Sequence, residues 1–66
     1  MNTTRYTPTD ADIELAVLYS IQLSMSYSDS LHAMIEVREH ELGYGIEVHI
    51  DISVISRLHE TWKKLR

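Results

Sequence analysis

Odd-numbered positions from Ala11 to Val37 are apolar with one exception, Asp29. The run takes in Ile13, Leu15, Val17, Tyr19, Ile21, Leu23, Met25 and Tyr27, then Leu31, Ala33 and Ile35. The phase then flips, and Ile46, Val48, Ile50 and Ile52 repeat the alternation on even positions. Period two is the mark of a half-buried β-strand, because successive side chains point to opposite faces. The expected fold is therefore α+β: a small single domain in the order α-β-β-β-α. A three-stranded antiparallel sheet would carry both helices on one face.

Residues 1–6 read as a disordered lead-in, and 7–66 as the domain. Thr7 caps a first helix, with Pro8 at its first position and Asp10 completing a capping box. That helix runs through Leu18. Tyr19 to Ser28 puts all its polar residues on one face when drawn as a strand, and Ser28-Asp29-Ser30 is turn chemistry. Leu31 to His40 gives a second strand, Glu41-Leu42-Gly43-Tyr44 a hairpin loop, and Ile46 to Ile52 a third strand. Pairing Val37 with Val48 sets Arg38 opposite Glu47 and Glu36 opposite His49. Ser53 would cap a last helix, Val54 to Arg66, striped by Val54, Ile55, Leu58, Trp62 and Leu65, with Trp62 in the core.

A second reading makes Ser28 to Leu42 a helix that stops at Gly43. The chain is then mostly α, with one strand at 46–52 pairing across a dimer.

Self-association suits a chain of 66 residues, which buries a small core. Strand edges, or the apolar excess of residues 13–25, would supply a homodimer interface. No cysteine is present, so neither a disulfide nor a thiolate contributes. The longest unbroken apolar run, Leu15 to Tyr19, falls far short of a membrane span, and a cytoplasmic location is expected.

Nine acidic residues and one basic residue, Arg38, lie between Tyr6 and Ser56, whereas the last ten residues hold Arg57, Lys63, Lys64 and Arg66. An acidic body disfavours a phosphate backbone and favours protein partners. Ile52 to Leu58 resembles the start of a helix-turn-helix recognition helix, but His49 stands where the turn glycine belongs.

Catalytic signatures are missing. There is no Gly-x-Ser-x-Gly, and Gly43 and Gly45 alone cannot form a phosphate-cradling loop. His32, His40, His49 and His59 match no compact ligand spacing. His40-Glu41-Leu42-Gly43-Tyr44 has the outline of a zinc-protease motif with Tyr44 in place of the second histidine. No enzyme activity, metal or cofactor is expected. The expected function is that of a small acidic, non-catalytic protein-interaction module, a regulator or inhibitor of the phage or bacterial accessory kind. Its partner surface would be Glu36, Arg38, Tyr44, Glu47, His49 and Asp51. The alternative is a nucleic-acid-binding regulator using Arg57, Lys63, Lys64 and Arg66.

Overall fold

The computed structural model describes residues 3–66. Its order is β1 (Thr4–Arg5), α1 (Asp10–Gln22), α2 (Tyr27–Leu42), β2 (Ile46–Glu47) and α3 (Ile52–Leu65). β1 and β2 form a two-stranded parallel pair, with Thr4 opposite Ile46 and Arg5 opposite Glu47. The three-stranded antiparallel sheet is thus replaced by three helices and one short parallel pair. Thr4 and Arg5, placed in the lead-in on sequence grounds, are strand; the first two residues of that lead-in lie outside the described part.

The reason is arithmetic. A period-two pattern contains every i,i+4 pair of a helix, so Ile13 and Val17, or Leu31 and Ile35, satisfy both periods. The i+3 positions discriminate. Ala16 and Met34 are even-numbered, apolar and fully buried, which fits the stripe of a helix and not the half-buried strand that a period of two describes. Ser30 hides the rest of the signal: it is buried on the core side of α2, and its hydroxyl donates to the Ser26 carbonyl at 2.7 Å.

The serines expected to form the wet face of a strand instead shape helix ends. Ser20 Oγ donates to the Met25 carbonyl at 3.1 Å after α1 has run on to Gln22. Ser24 takes a positive φ of 53° in the connection. Ser26 caps α2 by accepting the Asp29 amide at 3.2 Å. The same substitution of caps recurs elsewhere: Thr9, not Thr7, caps α1, and Asp51, not Ser53, caps α3 by accepting the Val54 amide at 3.0 Å.

α1 is the central helix and packs against both α2 and α3. The core comprises Ile13, Ala16 and Val17 of α1, Leu31 and Met34 of α2, and Val54 and Leu58 of α3. Trp62 is half-buried against this cluster rather than inside it, and Ile55 and Leu65 are exposed. α2 ends at Gly43, whose φ of 79° is left-handed and whose amide donates to the Glu39 carbonyl at 2.9 Å. A Cβ there meets no neighbouring atom but strains the backbone. Gly43→Ala should cost about 1 kcal/mol, read as a lower urea midpoint with an unchanged slope; an unchanged midpoint would contradict the role of the cap.

Candidate functional site

The most heavily bonded side chain is Asp12, which is fully buried in the first turn of α1. Arg38, from α2, donates Nε and Nη2 to Asp12 Oδ1 at 2.9 and 2.5 Å. The Thr9 amide donates to Oδ2 at 3.1 Å, closing a capping box, and the Tyr6 hydroxyl donates to the same oxygen. Four donors saturate the carboxylate. Burial pushes the Asp12 carboxyl up, but the hydrogen bonds from Tyr6, Thr9 and Arg38 outweigh it and hold it below the usual carboxylate range. The hydrogen bond to Asp12 and burial raise the Tyr6 phenol in turn. With no solvent access and no spare acceptor, this group is a structural lock and offers no route to acid–base chemistry.

A second arginine holds the same end of α1 from the other side. Arg57, from α3, donates Nη1 to the Pro8 carbonyl and Nη2 to Asp10 Oδ1, both at 2.9 Å. Sequence reasoning assigned Arg38 to a partner surface and Arg57 to a nucleic-acid surface. Both instead tie helices together, and Arg38 spends its remaining amine on Glu41 at 3.1 Å. The signal that could have found this was Thr9-x-x-Asp12, a second capping box overlapping Thr7-x-x-Asp10.

Of the other proposed nucleic-acid contacts, Lys63 and Arg66 have partners within the chain. Lys63 Nζ lies 3.7 Å from Glu60, and the Arg66 guanidinium sits 4.6 Å above the Trp62 ring, whose neighbour His59 stacks at 6.0 Å. Lys64 joins Asp10, Arg57 and Glu60 around a shallow cleft of about 280 Å³ between α1 and α3, where the two charge signs balance.

Of the proposed partner residues, Tyr44, Glu47, His49 and Asp51 are exposed in the segment between α2 and α3, within which Ile46 is buried. Asp51 is committed to capping α3, and Glu36 lies apart on the outer side of α2. His32, His40, His49 and His59 are all exposed, and among the described residues no group of three His, Cys, Asp or Glu side chains could hold a metal ion.

Sequence reasoning assigned the isoleucines of this stretch to a sheet core, whereas Ile50 and Ile52 are exposed. Tyr44 is 50% exposed, Ile50 41% and Ile52 83%, with Ile55 one turn further along α3 also exposed. On α3, Ile52, Ile55, His59 and Trp62 run down a side distinct from the Val54–Leu58 core stripe. Among the described residues, no helix is long and apolar enough to cross a membrane. No protein-family model, curated protein or solved structure matches the chain.

Proposed function

We propose that this chain is a small acidic, non-catalytic protein-interaction module of the cytoplasm, a regulator or inhibitor that works by docking. The docking surface is the stretch from Tyr44 to Ile52, continued by Ile55 on α3. The observation that carries this reading is the exposure of Tyr44, Ile50 and Ile52 in one short segment, with Leu42 and Ile55 exposed beside its two ends. Solvent-exposed large apolar groups gathered together, rather than scattered, mark contact sites, and aromatic anchors dominate the energetics of such sites. Glu47 and His49, both exposed beside them, supply a polar rim.

The test is affinity capture from the native host with two variants. Ile52→Asp puts a carboxylate at the first position of α3, which the helix dipole tolerates, and Tyr44→Ala trims a loop. Each should weaken the captured partner's binding about tenfold or more without changing the helical circular dichroism. Undiminished capture by the double variant would refute the surface.

A further inference from the structure

We infer that the free edge of β2 is a self-association site, on which a second copy of this chain pairs antiparallel through residues 46–50. The inference rests on the reading of residues 44–52 as a docking surface and names its occupant.

β1 takes only one edge of β2. The Thr4 amide donates to the Gly45 carbonyl at 3.1 Å and the Tyr6 amide to the Glu47 carbonyl at 2.9 Å. The Gly45 and Glu47 carbonyls therefore face β1, and within β2 the alternation of a strand turns Ile46 to the opposite edge; residues 48–50 lie beyond β2 and extend it on pairing. On that opposite edge the Ile46 amide meets Glu39 Oε2 at 2.9 Å. Among the described residues, no hydrogen bond within the chain uses the amides of Val48 or Ile50. A strand edge of this kind is a template for another chain. A two-stranded pair is also marginal by itself, and pairing two copies converts it into four strands, β1-β2-β2-β1.

The segment Ile46-Glu47-Val48-His49-Ile50 is self-complementary when run antiparallel against itself. Centred on Val48, it places Ile46 against the other copy's Ile50 and Glu47 against its His49, each twice. The even-numbered residues then form the hydrogen-bonded pairs, as the free edge requires. Val48 exchanges two bonds with Val48 of the other copy, and each Ile50 amide donates to an Ile46 carbonyl. In this register the other copy's Ile50 carbonyl also points at the Ile46 amide, so pairing displaces Glu39 Oε2 from it. Glu47 and His49 fall at non-hydrogen-bonded positions, where facing side chains approach most closely. Sliding the strands by two residues sets Glu47 against Glu47 in one direction and against Asp51 in the other, so like charges disfavour both neighbouring registers. Tyr44 and Ile52, both exposed, flank the pairing at each end.

The experiment is sedimentation equilibrium on the full chain and four variants. The wild type is expected to associate to twice the mass of one chain. His49→Glu places carboxylates opposite each other at two symmetric positions and should weaken the dimer by about two- to thirtyfold. His49→Lys should tighten it, and the double exchange of Glu47→Lys with His49→Glu should restore it. Val48→Pro removes an amide that the chain's own described hydrogen bonds do not use, and should abolish association while the helical signal persists. Should that variant lose its helices, the charge series decides. A wild type of single mass at every concentration overturns the inference, as does a dimer indifferent to the charge exchanges. Either result leaves the capture experiment with Ile52→Asp to stand or fall separately.

Discussion

Asp12→Ala is expected to lower the melting temperature by about 10 °C or more. The substitution strips four donors of their acceptor: the Tyr6 hydroxyl, the Thr9 amide and two nitrogens of Arg38. The Arg38 charge, three-quarters withdrawn from solvent, then faces a cavity. Breaking a buried ion pair by removing one partner costs about 3–5 kcal/mol. A domain of 66 residues has roughly 3–10 kcal/mol in total, so one side chain carries a large share of the stability. Acid titration of the wild type supplies a matched control. The folded-state pKa of Asp12 lies below its unfolded value, so its contribution is complete above the ordinary carboxylate range. It is lost as pH falls through the depressed folded value. The variant should lack that part of the acid slope. Thermal melts followed by far-ultraviolet circular dichroism check both points; a variant melting within a few degrees of wild type would show that the cluster contributes little.

Leu58→Ala is the second large effect. α3 is held to α1 by two fully or nearly buried apolar side chains, Val54 and Leu58, with Trp62 lying half-buried beside them. Removing the larger anchor costs about 2–5 kcal/mol, set by how far the site can collapse. The neighbours on α1, Ile13, Ala16 and Val17, are themselves closely packed and leave little room for collapse. The loss should fall unevenly, because α1 and α2 keep Leu31, Met34 and the Asp12–Arg38 pair. α3 is expected to undock first, seen as a red shift of Trp62 fluorescence at denaturant concentrations where most helical signal remains. Coincident loss of both signals would mean that the three helices unfold as one unit.

How much of this was legible in the sequence varies from element to element. α3 was, because its apolar positions repeat at helical spacing and its cationic end suits the dipole; its start moved from Val54 to Ile52 with the cap at Asp51, and Ile55 and Leu65 of the expected stripe are exposed. The first part of α1 was, since its Pro8-Thr9-Asp10 start and the helix-forming run from Ile13 to Leu18 are visible in the sequence. α2 was not, although it was weighed as an alternative. Its core stripe runs through a serine, its outer face carries Ala33 and Val37, and its odd positions imitate a strand. β1 was invisible, because Thr4 and Arg5 pair only through backbone atoms with a segment some forty residues away, and no side-chain pattern records that. Tyr44, Glu47 and His49 are exposed, but along a connection between helices and not on the open face of a sheet. The isoleucines of that connection were given to a sheet core that does not exist. Arg38 shows the limit most plainly: a lone cation in an acidic body reads as a surface group until a buried aspartate is found opposite it.

The double clamp on the start of α1 bears on the order in which the chain can fold. Helical bundles usually assemble from contacts between sequence neighbours, and fold fast for that reason. Here the bonds that fix the first helix reach across 26 residues to Arg38 and across 47 and 49 residues to Arg57. The opening turn of α1 is therefore among the last parts to be secured, however early its residues are made. Until Arg57 arrives, Asp10 and the Pro8 carbonyl have only water for company, and helix formation around Thr9 must rely on its cap. A fold that looks local in its secondary structure is thus closed by its most distant contacts.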